Sequence, residues 1–250
     1  MMNLTETVLY SCGISLFTSF GIQKVEAKRP NILFIMTDQQ RYDMLSCAGN
    51  RYVHTPSLDQ LAENGVRFER NYCANPKLKA ENIHFLEKGQ TLKLDRFEIT
   101  PFDVPHDSTD NVGYSVQYGE VNFCLITDAG HVTEQFGCYI ARANYLVLEA
   151  NHDEDMLMMG PYPAYLKGRI SGDYGHLSNK AAAQLLAEHI TDRLRHVWLC
   201  HISEENNHPE LARKTVDTCL RSVGIVAGKD FELEVLKRRI PSEIYELEKK

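Results

Sequence analysis

Three separate stretches of this chain end on a side chain of metal-binding type. His106 closes "FDVPH", Asp128 closes "FCLITD" and His201 closes "VWLCH". Short apolar runs of this kind read as buried strands, whose polar residues collect at their ends. Helical patterns follow two of them. "SNKAAAQLLAEHITDRL" has Ser178 as its cap, and "PELARKTVDTCLRS" opens on Pro209. "YLVLEAN" adds a further strand, and "VGYSVQYGEVNFCLITDAGH" reads as two strands joined by a turn at Tyr118-Gly119. Strands alternating with helices predict an α/β sheet. Imidazole and carboxylate side chains at converging strand ends suit Zn²⁺ or Mn²⁺.

Composition narrows the function classes. The net charge is -7, with no long basic run, so a uniformly cationic grip on nucleic acid is not encoded. The chain has seven cysteines, an odd number, with no C-x-x-C pair, which excludes a zinc ribbon and a dithiol redox motif. Cys124 and Cys200 lie inside apolar runs and read as small buried hydrophobes.

The N-terminal part has a different texture. Val8–Ile22 is an apolar run too short to span a bilayer. With "VEA" before Lys28, residues 1–27 resemble a secretory signal. "NILFIM" is a buried-strand run ending in Thr37-Asp38. "TPSLDQLAENG" is a short helix that Thr55 can cap and Gly65 can close, and "VRFERNYC" is a further strand. The tail, residues 241–250, is polar and is expected to be mobile or a solvated helix.

Residues 28–76, through "TDQQRYD", "TPSLDQLAENGVRF" and "NYCANP", resemble the N-terminal segment of the sulfatases, which have the alkaline-phosphatase-like fold. The resemblance implies a short βαβ fragment in which Asp38 is a calcium-type ligand, with Gln39 where a second aspartate is commoner. A carboxylate and a carboxamide oxygen are both suitable calcium ligands. The C/S-x-P-S-R motif that supplies the sulfatase nucleophile should follow "CANP", but "KLKAEN" stands there instead.

From about Glu81 to Leu236 the chain resembles the C-terminal two-thirds of the metallo-β-lactamase fold, an αββα sandwich. It is most similar to a bacterial group of DNA exonucleases or phosphodiesterases associated with cell-wall operons. Six blocks carry this in order: "TPFDVPHDSTDNVGYSV", "LITDAGHVTE", "LVLEANHDEDML", "GPYPAYLKGRI", "GHLSNKAAAQLL" and "HISEENNHPELA". The resemblance implies two divalent metals, Zn or Mn, with His106 on one, His201 on the other and Asp128 bridging. It implies that His176, just before a helix N-terminus, contacts a phosphodiester or nucleic-acid substrate, a place that also suits an anion on physical grounds. His152 in "EANHDED" reads as a residue orienting a ligand, although both it and His131 stand closer to ordinary structural or surface histidines. The simpler reading of "DEDMLMM" is a capped helix start.

The fold's main metal motif, H-x-H-x-D-H, should precede Glu81 and does not occur anywhere in the sequence. The expected architecture is therefore an incomplete metallo-β-lactamase sandwich, residues 77–240, preceded by a sulfatase-like fragment. Three readings stand at this stage. They are a metallohydrolase with a reduced ligand set, a sulfatase fragment without its nucleophile, and a non-functional chimera joined near Pro76-Lys77. The C-terminal resemblance implies a cytoplasmic location and the leader implies export. Oligomeric state is not legible in the sequence.

Overall fold

Sheet formation follows from the β-branched and aromatic runs noted above: "VGYSVQYGEVNFCLITDAGH", "YLVLEAN" and "VWLCH" each contribute strands, while "NILFIM" and most of "VRFERNYC" lie outside the described residues. The structure, a computed structural model, describes residues 45–57, 59–60, 67–68, 83–84, 86–238, 240 and 242–247. The signal-like leader and Asp38 lie outside the described residues. The chain divides into two compact units, Met1–Phe85 and Leu86–Lys250.

In the first unit, a 3-10 turn at Ser46–Ala48 is tied to a helical turn at residues 56–57 and 59–60. The tie is Asp59, whose carboxylate accepts from the Cys47 N–H at 2.7 Å, from the Thr55 hydroxyl at 2.9 Å and from the Ser46 hydroxyl. Burial opposes ionisation, but these donors outweigh it and hold the Asp59 carboxyl at about 2. Strand β1 (Arg67–Phe68) pairs in parallel with β2 (Ile83–His84).

The second unit is built on one seven-stranded sheet. In order across the sheet its strands are β3 (Leu92–Leu94), β4 (Phe97–Asp103), β5 (Val112–Tyr118), β6 (Val121–Ile126), β7 (Tyr145–Glu149), β8 (His196–Cys200) and β9 (Glu232–Val235). The first four run antiparallel to their neighbours, and β6 to β9 run parallel. Since β4 and β6 both oppose β5, strands β4, β6, β7 and β8 all point the same way. Their C-terminal ends therefore share one edge. That is the physical basis for the convergence read from the sequence.

Five helices connect the strands: α1 (Glu134–Arg142), α2 (Glu154–Met159), α3 (Ala164–Ile170), α4 (Asn179–His189) and α5 (Pro209–Ser222). Helix α5 buries Ala212, Val216 and Leu220, spaced four apart on one face. Helix α1 buries Phe136 and Ile140, and α4 buries Ala182, Ala183, Leu185 and Leu186. These side chains meet Cys124, Ile126, Leu146, Leu148, Val197, Leu199 and Leu233 from the sheet in a single core. Cys124 and Cys200 are buried as expected, and burial pushes both thiols up.

Capping agrees with the sequence reading. The Ser178 hydroxyl accepts from the Ala181 N–H, and the Asp153 carboxylate accepts from the Asp155 and Met156 N–H groups. Gly113 lies opposite Phe102 in the β4–β5 pair, and a Cβ there would sit 2.5 Å from the Phe102 ring, so only glycine lets that ring lie flat on the sheet.

The tail corrects one expectation. Residues 242–247 have no regular structure, yet the Tyr245 ring packs at 4.8 Å from Trp198 and its hydroxyl donates to Glu234 at 2.5 Å. Apolar contact with the indole fixes this residue despite the polar sequence around it. Among the described residues no helix is long and apolar enough to cross a membrane.

Candidate metal centre

Asp128 and His201 occupy the first turns after β6 and β8, with φ of 54° and 56°. Non-glycine residues in this left-handed region carry strain of about 1–3 kcal/mol each and persist where surrounding contacts fix them. Here two asparagine amides do so. Asn111 Nδ2 donates to the Asp128 carbonyl at 2.8 Å, and Asn151 Nδ2 donates to the His201 carbonyl at 2.8 Å. The backbone thus turns sharply at both strand ends and aims both side chains inward.

The third strand end supplies Glu149, the last residue of β7, fully buried. Its Oε2 accepts from the Ala129 N–H at 2.7 Å. Its Oε1 lies 2.8 Å from Nδ1 of both His176 and His201. Asp128 Oδ1 lies 3.2 Å from His201 Nδ1, 3.7 Å from His176 Nδ1 and 3.8 Å from His106 Nε2. The His106 ring is oriented from behind, its Nδ1 lying 2.9 Å from the Gly175 carbonyl. The His176 ring stands 4.9 Å from both neighbouring imidazoles.

The electrostatics are those of a site that wants a cation. Burial raises the Asp128 and Glu149 carboxyls. For Asp128 the hydrogen bond and charge of His201 outweigh that burial, and for Glu149 those of His176 and then His201 do so. Both carboxyls therefore stay below their ordinary values. Burial lowers His201, but its bonds to Asp128 and Glu149 prevail and raise it to about 10. One donor atom each from Asp128, Glu149, His176 and His201 lies within 4.8 Å of the others. Two carboxylates and two imidazoles drawn so close fit a divalent transition-metal ion.

The structure places His106, His176 and His201 within 3.8 Å of Asp128 Oδ1. Glu149 was missed, although its position at the end of an apolar strand is the same signal that marked Asp128. His152 lies outside the four-residue group. It is 2% exposed, burial lowers its imidazole, and its Nδ1 has no hydrogen-bond partner among the described residues. His131 is exposed, with Nδ1 2.7 Å from the Asp173 carbonyl.

A sheet whose parallel strand ends deliver carboxylates and imidazoles to one point is a scaffold suited to holding a metal ion. The chain belongs to the beta-lactamase superfamily, whose domain model matches residues 38–202. It is 39% identical over 156 residues to exodeoxyribonuclease YycJ of Bacillus anthracis, covering 62% of this chain and 59% of that protein. It is 33% identical over 157 residues to exodeoxyribonuclease WalJ of Streptococcus pneumoniae, covering 63% and 58%. The chain thus spans less than two thirds of the length of these relatives. A separate similarity, 38% identity over 73 residues, links 29% of the chain to 13% of the N-acetylglucosamine-6-O-sulfatase of Bacteroides thetaiotaomicron. Both resemblances read from the sequence are therefore present, and the fold is the expected metallo-β-lactamase type.

Proposed function

We propose that this chain is a metal-dependent phosphodiester hydrolase of the DNA exonuclease type, working with a reduced ligand set. The observation that supports this most is the meeting of Asp128, Glu149, His176 and His201 at one sheet edge. His106, Asp128 and His201 would hold the divalent metal, zinc or manganese, with Asp128 placed between the two histidines. The metal would lower the pKa of a bound water and draw charge from a phosphoryl oxygen. The protein's own groups do the positioning. Glu149 holds His176 by Nδ1 and so orients the ring, and with Nδ1–H given to the carboxylate the Nε2 of the neutral imidazole would accept a proton from a substrate group. His152 supports this arrangement from behind, holding the loop after β7 through its backbone bridge to Ser178.

The family's H-x-H-x-D-H motif does not occur in the sequence, so a complete two-metal site is not expected. Purified full chain should bind less than one equivalent of zinc by elemental analysis and cut an end-labelled DNA oligonucleotide slowly. Two tightly held metals with rapid turnover would refute the reduced set. No zinc binding above that of a His106→Ala/His201→Ala double variant would refute the site itself.

A second reading concerns the seam. The sulfatase similarity supports the idea that two truncated segments join near Pro76-Lys77, with Asp38 a relic calcium ligand and residues 1–27 a secretory signal. An uninterrupted DNA read across those codons, with one transcript spanning them, supports a genuine fusion; two separate reading frames there would sink it.

A further inference from the structure

Four side chains at the sheet edge are spaced like the corners of a tetrahedron. Glu149 Oε1 stands 2.8 Å from Nδ1 of both His176 and His201. Asp128 Oδ1 stands 3.2 Å from His201 Nδ1 and 3.7 Å from His176 Nδ1. Nitrogen and oxygen ligands about 2.0–2.1 Å from a tetrahedral zinc ion lie about 3.3–3.4 Å from one another, so these four gaps straddle the required value. His106 falls outside the group, with its Nε2 3.8 Å from Asp128 Oδ1. The donors are also held in place. Glu149 is fully buried, and its other oxygen takes the Ala129 N–H at 2.7 Å. Asn111 and Asn151 tie the carbonyls of Asp128 and His201, and the His176 N–H is given to the Ile170 carbonyl at 2.8 Å. An ion entering here meets ligands that are already oriented.

We infer that Asp128, Glu149, His176 and His201 form a closed zinc site, in which protein fills all four coordination places and keeps the ion from substrate. The ion takes the place of the Nδ1 protons that face Glu149. A hydrolytic zinc keeps one place open for water or substrate, whereas four protein ligands make a structural one. The hydrolytic position proposed above, on His106, Asp128 and His201, shares two ligands with the closed site, so the two positions exclude each other. The closed site also takes up the His176 Nδ1 and the Glu149 oxygen that orients it. This consequence rests on the hydrolase reading above and names how the same centre is shut off. Two carboxylates and two imidazoles at tetrahedral spacing suit zinc, while magnesium and manganese favour six ligands, mainly oxygen. One ion would join the turn after β6, the end of β7, the loop before α4 and the turn after β8, so filling the site stabilises the second unit.

The test starts from the full chain stripped with EDTA, with melting followed by Trp198 fluorescence. Zinc at about a hundredfold above its dissociation constant should raise Tm by roughly 5–10 °C, and magnesium at the same concentration should not. His106→Ala should keep that rise, and His176→Ala and Glu149→Gln should lose it. His176 is only half-buried, so its variant serves if the Glu149 variant does not fold. Cobalt in place of zinc should give the intense visible absorption of a four-coordinate ion, in the parent and in His106→Ala alike. The inference is overturned by a rise that survives His176→Ala, by one that His106→Ala abolishes, by one that magnesium matches, or by a weak cobalt spectrum of six-coordinate type. Cleavage of an end-labelled DNA oligonucleotide in manganese is a separate readout. Added zinc should slow it at least about tenfold, in step with the rise in Tm, because the tighter-binding ion displaces manganese. Cleavage that continues unchanged while melting shows the site full would overturn the closure. No cleavage in either metal removes the hydrolase reading and leaves the closed site, which melting and cobalt decide.

Discussion

Replacing Asn207 with alanine should destabilise the second unit far more than its distance from the metal centre suggests. Its amide is buried and fully used. Nδ2 shares its two hydrogens among the Ala150 carbonyl at 2.8 Å, the Asn151 carbonyl at 3.0 Å and Asn179 Oδ1 at 2.8 Å. Oδ1 accepts from Asn179 Nδ2 at 3.0 Å and from the His208 N–H at 2.9 Å. One side chain thus ties the loop after β7, the loop after β8 and the start of α4, the three segments that follow Glu149, His201 and His176. The Asn151 carbonyl keeps a second donor, the Ser203 N–H at 2.8 Å, but the Asn179 amide loses its partner inside the protein. At about 1 kcal/mol for each bond lost, and more for groups left buried and unpaired, the cost is about 4 kcal/mol. For a unit of this size that lowers Tm by roughly 8–16 °C. The chain has one tryptophan, Trp198 in β8, so its fluorescence during heating or urea titration reports this unit specifically. Asn207→Asp should be no better, because a carboxylate cannot donate to the two carbonyls. A loss below about 1 kcal/mol for alanine, or rescue by aspartate, would refute the argument that this amide holds the loops.

Gly175→Ala should disrupt the site directly. A Cβ there would lie 2.1 Å from the Ile170 carbonyl oxygen and 2.3 Å from that of Arg169, so the loop must move, carrying with it His176 and the carbonyl that orients His106. A zinc titration should show affinity reduced by at least about tenfold, in the range seen when groups orienting a ligand are lost. Alkylation mapped by mass spectrometry under native conditions should label exposed Cys138 readily and leave Cys124 and Cys200 unmodified until urea unfolds the sheet. In the first unit, the folded carboxyl of Asp59, at about 2, lies below its ordinary 3.8, so its contribution to stability is complete above pH 3.8 and is lost as pH falls toward 2. Hydrogen exchange over residues 45–60, corrected for intrinsic rates, should show protection fading in that window, and Asp59→Asn should remove the step.

Much of the second unit was legible because its signals are local. Apolar runs ending in Asp or His, a serine before an alanine-rich helix and a proline opening another each depend on residues close in sequence. His106, Asp128, His176 and His201 could be selected on that basis. Glu149 carries the same strand-end signal as Asp128 and was passed over, and its role shows only when His176 and His201 are seen 2.8 Å from its Oε1. From the sequence His152 reads as a residue orienting a ligand, and His176 as a substrate contact that the resemblance implies. Only the fold gives the second a carboxylate partner and leaves the first with an unpaired Nδ1. Tyr245 shows the reverse error, since a polar tail gave no sign that its tyrosine would pack against an indole.

By itself the sequence determined the element types, the metal-type chemistry at the strand ends and the missing H-x-H-x-D-H and C/S-x-P-S-R motifs, all matters of residue identity and near-neighbour spacing. Tertiary structure alone decided which side chains share a point in space. The parallel run of β4, β6, β7 and β8 places their C-terminal ends at one edge, and strained turns at Asp128 and His201 aim two charges inward. A buried Glu149 then draws in two histidines that are 25 residues apart in the chain and 2.8 Å from one oxygen in the fold. Distances of that kind are set by sheet order and loop packing, which no local pattern encodes.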